Sequence, residues 1–235
     1  EATKLAERLG PTRAAGQLQQ RPVAASGSII RAAWMRRFWV EFPKLDAWAL
    51  SVDCAFKGKD SSDPVALQVW GSCGASQFLI DRRTETMSFT ATLRAIKAMC
   101  IKWPRIQRKL VEDKANGTAV VDVLKTEVPG LILVNPGTDS KEGRAHAVTY
   151  LFEAGNVILP HPELAQYPDG SRGAVWLRGG VHDLSQEAKE GSYEHTLVFF
   201  PKAGVDDDVD ATTQYLNETS GSYIARLKAA FAGSK

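Results

Sequence analysis

Acidic side chains stand at three separate places in the chain where an apolar, strand-like run ends or a helix begins. Asp53 ends the run 50–52, Glu112 follows the run 109–111, and residues 205–211 read Val-Asp-Asp-Asp-Val-Asp-Ala. Hydrolysis of a phosphodiester needs an activated water and a stabilised leaving oxygen, and two divalent ions about 3.5–4 Å apart provide both. Mg²⁺ and Mn²⁺ prefer oxygen ligands. If the fold brings these segments together, their carboxylates could hold such ions.

Each acidic segment has a simpler interpretation when it is taken alone. A single acid at a strand end is usually a turn residue or is solvated, and an acidic run can cap a helix. Asp206, Asp208 and Asp210 alternate as in a calcium-binding loop. Ala211 and Asn217, however, stand where such a loop needs Gly and Glu, so the calcium-loop interpretation is rejected.

Composition narrows the class of protein. The chain has 235 residues, a formal net charge of +2 and three cysteines, Cys54, Cys73 and Cys100. Without a Cys-x-x-Cys pair, neither a disulfide framework nor a zinc ribbon is expected, and each cysteine is interpreted as a small buried residue. No apolar run is long enough for a bilayer and the first residues lack a signal core, which predicts a cytosolic protein without membrane contact. Binding to nucleic acid would need a local basic surface.

Strand periodicity begins near Ala47, where apolar residues alternate with small or polar ones as far as Asp53. A loop at 58–64 leads to a second strand at Val65–Trp70, and a turn at 71–74 leads to a third strand at 77–81. Short connections between successive strands are typical of antiparallel pairing. This part of the chain is therefore predicted to form an antiparallel meander.

Helical and strand periods alternate after the meander, which is typical of parallel strands joined by crossover helices. Helices are predicted at Phe89–Trp103, Thr118–Thr126 and Ser140–Ala154. Strands are predicted between and after them, at Leu110-Val111, Leu131–Val134 and Val157–Leu159. Gly155 is a suitable C-cap for the last of these helices. The sequence thus predicts an α/β protein with a ribonuclease-H-like mixed sheet, in which an antiparallel meander is followed by parallel strands and flanked by helices.

Residues 1–40 are interpreted as a linker or the tail of a preceding domain, with a short helix at 1–9 and a polar segment from residue 17 to residue 28. Aromatic residues at 34, 38 and 39 could anchor this segment on the domain behind it. Residues 41–235 are predicted to form that domain, with an insertion at about 160–193 that is rich in turn signals.

The last part of the chain gives weaker patterns. Residues 175–177 could form one arm of a hairpin within the insertion, and residues 196–200 could be helix or strand. Two separate helices are predicted at 207–216 and 223–231.

Three segments, taken in order, carry a resemblance to a known family. Residues 52–55 read Val-Asp-Cys-Ala and residues 111–117 read Val-Glu-Asp-Lys-Ala-Asn-Gly. Together with residues 205–211, and with further similarity at 19–23 and 141–157, they resemble the C-terminal nuclease domain of the terminase large subunit of tailed bacteriophages, part of a DNA-packaging motor. The third motif departs from the family at its first position, where Val replaces the usual His, and at its fourth, where Asp208 adds an acid.

The resemblance implies an endonuclease that cuts concatemeric double-stranded viral DNA with two Mg²⁺ or Mn²⁺ ions. Asp113 directly follows Glu112, so in an extended segment it would point to the opposite face, and Glu112 is the preferred ligand. The residues implied by position are the catalytic metal ligands Asp53, Glu112 and Asp207, the additional ligand Asp206, and the supporting acids Asp113 and Asp210.

The resemblance also implies partners. Lys114, Lys141 and Arg144 accompany the motifs and are expected to contact DNA phosphates, which position a duplex without reading its sequence. The chain lacks a Gly-x-x-x-x-Gly-Lys-[Ser/Thr] loop, so the ATPase domain is expected upstream in the same protein. Further implied partners are the small terminase subunit and the portal protein, in the host cell cytoplasm and transiently at the procapsid portal.

Two alternatives remain open at this point. The same fold hosts several chemistries, so a Holliday-junction resolvase or a related nuclease would fit the same carboxylates. A docking module that binds DNA or the portal, with weak catalysis, would fit the small net charge and the Val at position 205.

Overall fold

Residues 28–54 and 64–232 are described by the structure, which is a computed structural model of the chain. Several predicted features lie outside the described residues: the helix at 1–9, the similarity at 19–23, the polar segment at 17–28 except Ser28, and the loop at 58–64 except Pro64. None of the helices in the described ranges combines the length and the apolar character that crossing a membrane would require.

The described chain enters the sheet at its edge. A 3-10 helix at Ala32–Trp34 precedes β1 (Phe38–Trp39), a short strand that runs parallel to a strand near residue 159. The Trp39 indole nitrogen donates to the Leu79 carbonyl oxygen at 3.0 Å. Ile30 and Met35 are buried in the core. Residues in the range 30–39 therefore contribute both an edge strand of the sheet and buried side chains of the core.

The predicted antiparallel meander is confirmed. It consists of β2 (Ala47–Cys54), β3 (Pro64–Cys73) and β4 (Ser76–Thr86). β3 and β4 extend past their predicted ends, and Gly74, with φ of 57°, forms the turn between them. This left-handed backbone conformation is readily adopted by glycine, which explains why the hairpin reverses there. The longer β4 proves important for the site, because it includes Arg82.

The predicted parallel section is also confirmed. Helix α1 (Phe89–Lys102) leads to β5 (Arg108–Glu112), and α2 (Ala115–Leu124) leads to β6 (Leu131–Val134). β5 runs parallel to both β2 and β6. Both crossovers therefore return the chain in the same direction, so the carboxyl ends of β2, β5 and β6 lie at one edge of the sheet.

The next segment forms two helices where the sequence predicted one. Helix α3 (Lys141–His146) and helix α4 (Thr149–Glu153) replace the single helix expected at 140–154. The predicted stop at Gly155 is confirmed by its left-handed φ of 71°. The chain then forms β7 (Val157–Pro160), which pairs in parallel with β4 and β1. The seven strands form one mixed sheet in the order β1-β7-β4-β3-β2-β5-β6.

The structure of the final part of the chain differs from the sequence-based prediction in two places. Residues 175–177 belong to helix α5 (Val175–Arg178), so the predicted hairpin arm is wrong; Gly179 ends this turn in a left-handed conformation, while Leu177 and Arg178 are buried. The ambiguous segment at 196–200 lies mostly in helix α6 (Tyr193–Phe199). The two helices predicted after residue 206 are one continuous helix, α7 (Asp207–Ala232).

Helices cover both faces of the sheet. Leu50, Val52 and Ile96 pack in one apolar cluster beneath α1 and α2, whereas Trp70 and Leu216 pack in another on the face covered by α7. A strand that is buried on both faces needs apolar or hydrogen-bonded residues at every position, and β2 shows this along most of its length.

The three cysteines do not share one environment. Cys54 is buried, Cys100 is partly buried and Cys73 is exposed at the end of β3. The expectation of a small buried residue is therefore wrong for Cys73.

Candidate metal centre

Two neighbouring parallel strands and one helix bring the three predicted catalytic carboxylates to one edge of the sheet. Asp53 lies one residue before the end of β2, and Glu112 is the last residue of β5. Because Val52 pairs with Val111, the residues that follow them lie side by side. Asp207 is the first residue of α7. All three residues are buried, with exposed fractions of 5%, 8% and 5% in chain order.

Hydrogen bonds hold the first turns of α7 across these strands. Ser51 Oγ donates to the Ala211 carbonyl oxygen at 2.7 Å. Gln214 Nε2 donates to Ser51 Oγ at 2.9 Å, to the Val52 carbonyl at 3.3 Å and to the Leu110 carbonyl at 3.2 Å. The Gln214 amide therefore joins α7 to both strands that carry the first two carboxylates.

Asp53 has the least favourable environment for a charged carboxylate. Burial raises its pKa well above the ordinary value, and the negative charges of Asp210, Glu112 and Asp207 raise the pKa further. Within the part of the chain that the structure describes, no hydrogen bond or ion pair reaches the Asp53 carboxylate. A buried carboxylate in such a position is stabilised most by a nearby cation.

Asp207 and Asp206 differ in their exposure. Burial, followed by the charges of Asp206 and Asp208, raises the pKa of Asp207 to about 6, although the Asp207 backbone N–H and the charge of Lys141 oppose the change. The Asp206 side chain is 37% exposed. Its carbonyl oxygen accepts the backbone N–H of Asp210 at 3.1 Å, so Asp206 begins the helix as well as bordering the site.

Basic side chains from α3 lie among these carboxylates. Lys141 Nζ is 2.7 Å from Asp206 Oδ2 and 2.6 Å from Asp210 Oδ2. Arg144 Nη2 is 2.7 Å from Asp210 Oδ1 and 3.7 Å from Glu112 Oε1. Burial acts against a charged Lys141, but its hydrogen bonds with Asp206 and Asp210 outweigh this effect and raise its pKa. Two of the residues expected to bind phosphate thus neutralise acids in the structure.

Lys114, Glu112 and Asp113 lie at the end of β5. Lys114 Nζ is 2.8 Å from Glu112 Oε2, so the third expected phosphate ligand is also paired with an acid. Asp113 is exposed, and its carboxylate accepts a hydrogen bond from Thr118 Oγ1 at 3.1 Å. The structure therefore brings Glu112, rather than Asp113, toward Asp53.

Metal binding can be tested against these contacts. Among residues 28–54 and 64–232, no three His, Cys, Asp or Glu side chains are arranged so that they could hold an ion together as they stand. The available groups are nevertheless carboxylate oxygens, which suit a hard divalent ion, and no described cation is in direct contact with Asp53. The donor set fits such an ion, provided that the side chains around Asp53 rearrange.

A comparison of the sequence with family models decides where the chain belongs. Residues 50–219 match the model of the terminase RNaseH-like domain, and this match includes all of the acidic residues described above. The chain belongs to this family. No curated protein matches the sequence closely enough to count as a relative.

Solved structures show the same fold as this terminase domain. The large terminase nuclease from the thermophilic phage G20c with bound zinc superimposes with a TM-score of 0.53 at 13% identity, covering 80% of this chain and 96% of that one. The G20c nuclease with bound magnesium gives 0.50 at 13% identity, with coverages of 81% and 96%. A large terminase from another thermophilic bacteriophage gives 0.54 at 10% identity, covering 82% of this chain and 44% of that one. The chain thus spans nearly all of the G20c nuclease chains and less than half of this longer terminase.

One acid of the third motif is directed away from the other carboxylates of the terminase domain. Asp208 is 1% exposed, and its carboxylate accepts hydrogen bonds from Arg82 and Thr84. The roles of Arg82, Gln68 and Gln214 in holding α7 were not predicted from the sequence. Gln68 could have been noticed, because it is a polar residue within an otherwise apolar strand. Its partner, Asp208 on α7, is 140 positions away and could not have been.

Proposed function

We propose that this terminase domain is a metal-dependent endonuclease that hydrolyses double-stranded DNA. One observation carries the proposal: three buried carboxylates from distant segments lie near one another where two parallel strands end and a helix begins. Such a cluster is repulsive without cations and is difficult to explain as a device for stability. Membership of the terminase RNaseH-like family supports phosphodiester hydrolysis as its purpose.

The roles of the acids follow from their positions. Asp53, Glu112 and Asp207 would hold two divalent ions, which supply an activated water and stabilise the leaving oxygen when bound. Asp206, at the exposed side of the cluster, would be an additional ligand. Asp210 is held by Lys141 and Arg144 and would support the site as a fixed negative charge.

The proposed ions are Mg²⁺ or Mn²⁺. Carboxylate oxygens are their preferred ligands, and the donor set contains no sulfur or imidazole among the described residues. The G20c nuclease is known with bound magnesium and with bound zinc, which supports a divalent ion in the corresponding fold.

The role proposed for Lys114, Lys141 and Arg144 depends on whether the acids they contact are also neutralised by other cations. Lys114, Lys141 and Arg144 neutralise the carboxylates in the structure. Once these acids have other counter-charges, the same three side chains become available to DNA phosphates at the edge of the site. Contacts of this kind hold a duplex in place without reading its sequence. Asn135 and Glu218 line a cleft of about 240 Å³ beside Glu112, which gives DNA or water access to this edge.

The proposed biological setting is cleavage of concatemeric viral DNA during packaging, in the host cell cytoplasm and transiently at the procapsid portal. The upstream ATPase domain, the small terminase subunit and the portal would be the protein partners. The longer phage terminase, of which this chain spans less than half, supports a larger motor protein.

A docking module with weak catalysis is the second candidate. The observation in its favour is that Lys114, Lys141 and Arg144 are all already engaged by acids. In that case the domain would bind DNA or the portal, and the carboxylates would serve mainly to position the basic side chains.

The deciding experiment compares cleavage of supercoiled plasmid in Mn²⁺, Mg²⁺ or EDTA. Nicking and linearisation that require metal, and that disappear in Asp53→Ala and Asp207→Ala, support the nuclease. Asp122→Ala is the matched control, because Asp122 is an exposed acid paired with Lys125 on the surface. DNA binding without any cleavage would favour the docking module, and a preference for branched over linear DNA would favour a junction resolvase.

A further inference from the structure

Three polar side chains form a row across the sheet directly beneath the start of α7. Ser51 on β2 pairs with Gln68 on β3, and Gln68 pairs with Arg82 on β4. Paired residues in neighbouring strands point to the same face. Each member of the row binds α7: Ser51 contacts a carbonyl of its second turn, whereas Gln68 and Arg82 bind Asp208.

Asp208 is held by two members of this row, Gln68 and Arg82, and by Thr84. Arg82 Nε lies 3.0 Å from Asp208 Oδ1 and 3.1 Å from Oδ2, and Arg82 Nη2 donates to Oδ2 as well. Thr84 Oγ1 donates to Oδ1 at 2.8 Å, and Gln68 Nε2 lies 3.1 Å from the same oxygen and 3.0 Å from the Asp208 carbonyl. The Arg82 side chain is only 10% exposed. A carboxylate with this many donors has no oxygen left for another ligand.

The position of Asp208 determines where its neighbours point. Successive residues of an α-helix differ by about 100° around its axis, because a turn contains 3.6 residues. Fixing Asp208 on the sheet therefore also fixes the direction of Asp207. The first turn of a helix has few backbone bonds of its own and is otherwise free to fray.

We infer that Arg82 is a positioning residue for the metal centre: by holding Asp208, it presents Asp207 toward Asp53 and Glu112. This inference rests on the proposed function. In the described structure, the hydrogen bonds of the Arg82 side chain go to Asp208 and Gly191 rather than to any of these three carboxylates. Its effect is exerted through the first turn of α7.

The segment predicted as an insertion adds a further contact to this arrangement. The Gly191 carbonyl oxygen accepts a hydrogen bond from Arg82 Nη2 at 3.4 Å. Two residues later, Tyr193 Oη lies 3.0 Å from Thr212 Oγ1 on α7. The end of this segment therefore packs on the same part of the helix that Arg82 holds, which gives the insertion a supporting role in the site.

The test measures Mn²⁺ binding to the purified chain without DNA, by calorimetry or by electron paramagnetic resonance of free Mn²⁺. Arg82→Gln and Asp208→Asn are expected to weaken Mn²⁺ binding about 10- to 100-fold, the usual effect of removing a group that orients a metal ligand. Arg83→Gln is the matched control. Arg83 is the next residue of β4 but forms an exposed pair with Glu85, so this variant should bind Mn²⁺ like the wild type.

Two further measurements separate positioning from other roles. DNA binding in EDTA should be unchanged in Arg82→Gln, because a positioning residue does not contact phosphate. The double variant Arg82→Gln/Asp208→Asn should bind Mn²⁺ more tightly than either single variant, because it leaves no buried charge without a counter-charge.

The outcomes distinguish this inference from the proposed function. If the wild type binds no Mn²⁺, the proposed metal centre is wrong and the inference falls with it. If the wild type binds Mn²⁺ and a folded Arg82→Gln binds it equally well, only the inference is overturned. Should Arg82→Gln fail to fold, Arg82→Lys keeps the charge but loses the two-nitrogen contact, and wild-type affinity in that variant would overturn the inference.

Discussion

Lys141 Nζ lies 2.6 Å from Asp210 Oδ2, so a basic side chain of α3 is bound to an acid of the helix that completes the site. The same ammonium group contacts Asp206, and Arg144 contacts the other oxygen of Asp210. The cluster is therefore partly neutralised by the protein itself. Divalent ions bound as proposed would compete with these basic side chains for the same negative charge, and this competition can be measured.

Lys141→Gln is expected to lower the stability of the domain in EDTA by about 1 kcal/mol, because the carboxylates lose a partly exposed counter-charge. Mn²⁺ should then raise the unfolding temperature more in the variant than in the wild type, since the internal competitor has gone. Thermal unfolding with and without Mn²⁺ checks both effects. Lys125→Gln removes an exposed lysine paired with Asp122 and is the control. Equal stabilisation by Mn²⁺ in wild type and Lys141→Gln would contradict the competition.

Asp53→Asn is expected to abolish cleavage while stabilising the metal-free domain by about 0.5–2 kcal/mol, as relief of unfavourable charge commonly does. The pKa of Asp53 is raised on folding by burial and by neighbouring acids, so ionisation of this group opposes folding. The gain should therefore be present at neutral pH, fade as the pH falls through the raised folded-state pKa, and be lost below about 4, where the carboxyl is protonated in both states. Urea unfolding in EDTA at several pH values measures it. A loss of stability at neutral pH would show that Asp53 has a stabilising partner.

Gln214→Leu is expected to destabilise the domain by about 1–3 kcal/mol and to reduce cleavage. The change removes the Gln214 amide group, which donates to Ser51 Oγ and to the carbonyl oxygens of Val52 and Leu110. These acceptors then lose a hydrogen-bond donor, which is costly where they are buried. Urea unfolding and plasmid nicking are the two measurements. Gln166→Leu changes an exposed glutamine and serves as the comparison. If both variants behave alike, the Gln214 contacts do not hold α7 in place.

Arg178→Met is expected to cost about 3–5 kcal/mol of stability, because it leaves the buried Glu194 carboxylate without its main partner. The Arg178 guanidinium also donates to the carbonyls of Asp183 and Gln186, so it organises the segment that follows α5. Hydrogen exchange of residues 181–191 should become faster in the variant. A double change, Arg178→Met with Glu194→Leu, should recover part of the loss, and no recovery would mean that the carbonyl contacts dominate.

Local patterns in the sequence were sufficient for most of the sheet. The alternation from Ala47 to Asp53 and the short connections after it predicted the meander, and the apolar run Leu131–Val134 was predicted with the bounds that β6 has. The acids at the ends of apolar runs were recognisable because strand ends place side chains at the edge of a sheet. These features depend on neighbouring residues only.

Long-range pairing was not predictable in the same way. The third strand was expected at 77–81 with Arg82 at its close, but the contact of Arg82 with Asp208, 126 positions away, could not be anticipated from neighbouring residues. Lys141 and Arg144 were expected on phosphates because charge alone does not reveal a partner 65 or 66 positions away. The segment 175–177 has β-branched and aromatic residues that favour a strand, but burial of Leu177 and Arg178 in a single helical turn determines its structure.

The hydrogen bond from Gln214 to Ser51 spans 163 positions of the chain. A contact of such sequence separation forms only when the intervening chain has closed, which costs conformational entropy. During synthesis, β2 and β5 leave the ribosome long before α7 does, so a growing chain carries two of its three carboxylates without the helix that supplies the third. The order of the elements therefore means that an unfinished polypeptide lacks the third carboxylate, and the acidic cluster is complete only when the last helix has docked.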